Sequence, residues 1–215
     1  MIWCFTLPLV LCAVPLTMAS STLWEALAAS THATHFLYGA GGGVVIGLLI
    51  LKFFPLLFVL DHELTHFVAA LAMLRKPLLI AAEARSGVVI IEGRGSMFVS
   101  LAPHAIPILA LLALSLLLIT DAPSRPYVVA LIAFAWGYHG VTDVFDAVTG
   151  GSDLTKGGVF ASRVIILCAW VFFYPLIVIA ALGGSELVGR WFATGWQVAL
   201  FLWERLAHHT SALVG

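Results

Sequence analysis

Charge is what this chain has least of: only 10% of its 215 residues are Asp, Glu, Lys or Arg. A soluble domain carries about 25%. So few charges cannot cover a surface of this size in water, which excludes an ordinary soluble enzyme. The hydrophobic residues, 62% of the chain, must instead face lipid. Net charge is only −1, so nucleic acid is not an expected partner. Cysteine is rare too. Cys4, Cys12 and Cys168 sit in apolar stretches without metal-ligand spacing, and we read them as small buried hydrophobes with no disulfide framework. Internal repeats and low-complexity tracts are absent. No Lys or Arg precedes the apolar run 1–19, as a secretory signal would require. Although Thr17-Met18-Ala19 resembles a cleavage site, we expect an uncleaved first span.

What is present is a series of apolar runs near the ~20 residues needed to cross a bilayer. The expected fold is an all-α integral membrane protein, with 1–215 as a single multi-pass domain. It is a bundle of about five to six transmembrane helices with a small β-hairpin near the active site. Spans are expected at 2–19, 36–74, 98–119, 126–148 and 159–182. The run 36–74 would be about 57 Å long as one helix, so a kink is expected at Pro55. Val88, Val89, Ile90 and Ile91 form a β-branched run that leads into Glu92-Gly93-Arg94-Gly95 and a second short run, 96–99. That pattern predicts a hairpin over 86–99, turning at the glycines. The tail 186–209 carries Trp191, Trp196 and Trp203 among Arg190, Glu204 and Arg205. It reads as a tilted interfacial helix, with a sixth span as the alternative. Arg75, Lys76, Arg85, Arg94, Lys156 and Arg163 fall on one side of this layout, and Arg125 and Arg190 on the other. The first side is expected to be cytoplasmic.

Chemistry concentrates in His62-Glu63-Leu64-Thr65-His66. Two histidines four apart on a helix share one face, a spacing at which both imidazoles can ligate one tetrahedral Zn²⁺. Glu63 is placed to take a proton from a zinc-activated water. A chance match at a helix end is the bland alternative. It is weakened because Asp61, His62, Glu63 and His66 stand in an apolar run, where ionisable groups are costly and usually functional. A third ligand is needed. Helix depth favours His139 or Asp143, four residues apart on one face. Asp153 qualifies only if the segment Gly150-Gly151-Ser152 folds back. For each there is a plainer reading. His139 could be a packing histidine, and Asp143 and Asp146 could pair with Arg163 or Lys156 or reach water at a helix end. Asp153 could be an N-cap. His104 is a candidate neighbour of the site. His32, His35, His208 and His209 read as solvent-facing.

These features resemble the site-2 protease family of intramembrane zinc metallopeptidases, in its compact bacterial branch without a PDZ domain. The resemblance covers roughly 40–182, within a metallopeptidase-like core of 36–182, and rests on three elements. The first is the His-Glu-x-x-His helix, followed by Phe67-Val68-Ala69-Ala70. The second is Leu101-Ala102-Pro103, similar to a Gly-Pro-type element after a hairpin region. The third is Ser152-Asp153-Leu154, with His139 and Asp146, similar to a late aspartate pattern. The family's Asn-x-x-Pro around that aspartate is missing here, Leu154 replaces its Gly, and the asparagine that usually follows Gly-Pro is absent too.

The resemblance implies that Asp153 is the third zinc ligand, with one Zn²⁺ per chain. It implies a membrane-embedded zinc metalloendopeptidase that hydrolyses transmembrane or membrane-associated protein substrates. Such a protein would sit in the cell membrane, with its active site nearer the cytoplasmic side. Val88 to Ile91 would then present an unwound substrate segment by strand addition. A metal transporter or channel, or a non-catalytic relative, are the competing expectations.

Overall fold

The computed structural model describes residues 22–84, 86–93, 95–149, 153 and 158–214. The expected first span, Cys4, Cys12, Arg85, Arg94 and Lys156 lie outside them. After a short helix α1 at 22–29 come α2 (Ala33–Phe53) and α3 (Pro55–Ala72). The hairpin β1 (Pro77–Ala82) and β2 (Gly87–Ile91) follows, then α4 (Met97–Ala105), α5 (Ile108–Ser115), α6 (Arg125–Thr149) and α7 (Val159–Val214). Four of these helices have stretches long and apolar enough to cross a membrane, and five do if α4 and α5 count as one bent span.

α2 and α3 meet at Phe54, whose backbone is non-helical (φ −134°, ψ 54°), and Pro55 takes the first turn of α3. There its missing N–H costs nothing. The break stands at the residue where the proline pattern puts it. What the sequence reading missed is why α2 is glycine-rich. Gly39 faces the Ala130 backbone, Gly43 the backbone of Phe134 and Tyr138, and Gly47 the side chains of Tyr138 and Val141. These glycines recur every four residues, so they make one stripe on which α6 packs backbone to backbone, the small-residue packing of apolar bundles.

That seam also fixes direction. Residue numbers rise together on both helices, so α2 and α6 run parallel. The helical path between them must therefore go out and return once. α3, the hairpin and the bent pair α4–α5 make up that path. The expected span 98–119 is two helices bent by 71°, a broken span or a re-entrant loop. Pro107 has no N–H to carry a helical ladder across the joint.

The hairpin is corrected. β2 pairs antiparallel with β1, Ile80 opposite Val89 and Ala82 opposite Gly87, and Glu83 N–H closes onto the Ser86 carbonyl. The second strand thus comes from upstream of 86. The segment after Glu92-Gly93 leads into α4 instead of a strand. Leu78, Leu79 and Ile80 carried the strand signal that was passed over.

α7 breaks at Gly184 (φ 67°). Phe172 and Trp191 have ring centroids 5.4 Å apart, whereas 19 residues of straight helix would separate them by about 28 Å. The chain therefore doubles back at Gly184. Trp191 is 1% exposed, so it is a core residue and not the interfacial anchor expected of the tail. Arg190 pairs with Glu25 at 2.8 Å, and Arg125 approaches Gly184. The two cations assigned to the same side thus gather at one end of the bundle. Cys168 is disulfide-bonded, which corrects the expectation of no disulfide.

The main apolar core, with Ala110, Val129, Ile132, Ala133, Ile177 and Ile179, joins α5, α6 and α7. A smaller one, Ala69, Ala70, Val99 and Ala102, joins α3 to α4.

Gly43→Leu should separate α2 from α6, because its Cβ would meet the Phe134 backbone, which cannot yield. Overpacking of this kind costs about 1–3 kcal/mol or more. The unfolding midpoint in detergent should fall accordingly, while Gly41→Leu, where nothing lies within 4 Å, leaves it near the original value.

Candidate functional site

α3 delivers His62, Glu63 and His66 on consecutive turns, and the smaller core holds this helix against α4. The rings of His62 and His66 stack edge to face at 4.9 Å. His62 Nε2 lies 3.2 Å and His66 Nε2 lies 3.1 Å from the same oxygen, Oδ2 of Asp153. Donors bonded at about 2.0–2.1 Å to one tetrahedral ion stand about 3.3 Å apart. Each histidine nitrogen therefore stands at a ligand-set spacing from that oxygen.

The other ring nitrogens are held. His66 Nδ1 lies 2.7 Å from the Val99 carbonyl oxygen. A carbonyl has no proton to give, so Nδ1 donates and Nε2 is left as the lone-pair nitrogen. His62 Nδ1 donates to Asp146 Oδ2 at 3.1 Å. A partner on the distal nitrogen is what sets the tautomer and ring angle of a metal-binding histidine. Asp146 thus works through His62. A pair with Arg163 or Lys156, or water at the helix end, was its plainer reading, and the family resemblance grouped it with His139 and Asp153. Its position seven residues after His139, on the same face of α6, was the available signal.

Glu63 is buried at 7% exposure and lies against Gly87 of β2. A Cβ on Gly87 would push the Glu63 side chain aside, so glycine here lets strand and carboxylate approach this closely. One donor atom from each of His62, Glu63 and His66 lies within 4.8 Å of the others. Glu63, His66 and Asp153 open onto a cavity of about 150 Å³, which Gly87, Val88, Val89 and Ile91 of β2 also line, with Val99 and Ser100. Hairpin and motif therefore share one space. Ile90, the remaining residue of the expected presenting strand, belongs to β2 but not to that lining.

His139 and Asp143 sit elsewhere. His139 Nε2 is 3.1 Å from Asp143 Oδ2, at an angle too poor for a hydrogen bond. Tyr174 of α7 donates to Asp143 at 3.3 Å and stacks on His139. Their partner lies on α7, whereas His62 meets Asp146. Phe58 packs on Phe145, which sets the motif beside Asp146, about two turns beyond His139. Asp61, just before the motif, is hydrogen-bonded by Tyr138. His104 is buried beside His62, with ring centroids 5.2 Å apart.

No family model, curated protein or solved structure matches the chain.

Asp143→Ala removes the acceptor of a buried Tyr174 hydroxyl, a loss of about 1–3 kcal/mol. The unfolding midpoint in detergent should drop, yet divalent-ion retention on dialysis should equal that of the unsubstituted protein. Loss of the ion would return Asp143 to the ligand set.

Proposed function

We propose that the protein is a membrane-embedded zinc endopeptidase acting on transmembrane or membrane-associated polypeptides. The observation that carries this reading is the single Asp153 oxygen within 3.2 Å of both motif histidines, each turned toward it by a partner on its far nitrogen. Two imidazole nitrogens and a carboxylate oxygen with a fourth position open make a donor set of the catalytic-zinc type. Zinc, when bound there, would acidify a water and polarise a peptide carbonyl.

The chain's own groups supply the rest. Glu63 receives the proton of the attacking water at its carboxylate and passes it to the departing amine. Burial between α3 and β2 keeps that carboxylate from swinging away. Asp146 and Val99 keep the two rings from turning. A peptide bond inside a helix is shielded, so a substrate must enter extended. β2 is paired on one edge by β1 and lines the cavity, which suits it to hold an extended segment by main-chain hydrogen bonds. The apolar helices support placement in the cell membrane, and the Lys/Arg bias supports a site nearer the cytoplasm. A cation path is the competing reading, since buried histidines and carboxylates also mark ion routes. It predicts metal flux across liposomes, whereas a peptidase predicts one tight ion and none.

Glu63→Gln decides the chemistry. Purified protein in proteoliposomes should keep its zinc, by metal analysis, but cut single-span test substrates roughly 10²–10⁴-fold more slowly. Undiminished cleavage would remove Glu63 from the mechanism. Gly87→Val should also slow cleavage with zinc retained, because its side chain would displace Glu63.

A further inference from the structure

A second set of donors beside the motif is left idle by the peptidase reading. Asp146 Oδ2 lies 3.1 Å from His62 Nδ1 and 3.7 Å from His104 Nδ1. One donor atom from each of His62, His104 and Asp146 lies within 4.8 Å of the others. His104 is 2% exposed, and its Nε2 has no hydrogen-bond partner among the described residues. A packing histidine this deep would be expected to use its ring nitrogens, since an unmet polar atom is costly away from water. Its neighbour Trp170 takes the His104 backbone carbonyl instead, at 2.7 Å. The ring is therefore held in place with Nδ1 toward Asp146, beyond hydrogen-bond reach, and with Nε2 on its other edge unsatisfied among the described residues.

Two imidazoles and one carboxylate suit a divalent transition-metal ion such as Zn²⁺ and suit Mg²⁺ or Ca²⁺ poorly. We infer that His104, Asp146 and the Nδ1 edge of His62 form a second, weaker cation site beside the His-Glu-x-x-His motif. Weaker follows from two features. The 3.7 Å between His104 and Asp146 exceeds the about 3.3 Å between donors around one tetrahedral zinc, so the groups must close in. His62 can ligate through Nδ1 only by giving up the proton it donates to Asp146. Loading this site therefore withdraws the partner that orients His62 toward Asp153. Excess Zn²⁺ should inhibit through it. That coupling rests on the proposed peptidase site; the second site itself does not.

The test is equilibrium dialysis of the full-length protein in detergent against Zn²⁺ buffered at a low and then a high free concentration, with metal counted per chain. His104→Ala should bind the same amount as the original protein at low free Zn²⁺ and one ion fewer at high. Exposed histidines such as His35 bind alike in both and cancel. His104→Gln, closer in size and a poor zinc ligand, carries the same expectation should alanine disturb α4. His66→Ala should show the reverse, losing the low-concentration ion and keeping the one that depends on His104. Equal uptake by the original and His104 proteins at high free Zn²⁺ overturns the second site and leaves the peptidase reading intact. A protein with no ion at low free Zn²⁺ but a His104-dependent one at high overturns the peptidase reading and leaves this site standing.

Discussion

Ionisable groups in an apolar bundle are tolerable only where they satisfy one another, and around the motif they do so in a chain. Val99 takes the proton of His66 and Asp146 that of His62, while both remaining nitrogens face the Asp153 carboxylate across a gap that a proton or a cation would have to bridge. Each bond runs between different elements: α3 to α4, α3 to α6, and α3 to the segment before α7. The polar set is therefore also the joint of this half of the molecule, where the apolar core is only four small or branched residues. A site held this way is rigid for a reason other than packing density. Removing one member leaves a buried partner exposed to the full desolvation cost.

The glycine stripe of α2 decides where that joint falls. Because Gly39 and Gly43 let α6 approach to backbone contact, the register of the two helices is fixed by shape and not by any polar group. α3 then continues from Phe54 at a set height, bringing Phe58 to Phe145 and His62 to Asp146. A one-turn slip of α6 would move Asp146 by about 5.4 Å, far outside hydrogen-bond reach of His62. Packing in the apolar half thus specifies geometry in the polar half.

Much of this was legible in the sequence where a local rule applies. Pro55 marks the α2–α3 break, and helical spacing puts His62 and His66 on one face. The run Val88 to Ile91 is a strand. Illegible features depended on another element. The partner of β2 could not be read from the glycines after it, since Gly93 relieves a bend into α4 and no hairpin forms there. The 71° joint between α4 and α5 looked like a continuous span because hydropathy does not register a missing N–H. The fold-back at Gly184 was hidden for the same reason, with apolar residues on both sides. Depth counted from helix ends favoured His139 and Asp143, but a count along one helix does not show which neighbour a side chain meets: Tyr174 of α7 takes Asp143, and His62 reaches Asp146.

The two clusters on α6 separate by what meets them. His139 and Asp143 face α7, where Tyr174 offers a hydroxyl, and an acceptor that already has a donor gains little from a cation. Asp146, one turn further on, faces two imidazoles and, among the described residues, no hydroxyl. Imidazole is a hydrogen-bond partner that is also a metal ligand, so the same carboxylate can serve either as an orienting acceptor or as a ligand. Which role it takes depends on whether a proton or a cation stands between it and His62. In this bundle, the aromatic hydroxyl on α7 marks the polar pair that is structural. The rings on α3 and α4 mark the one with chemistry open to it.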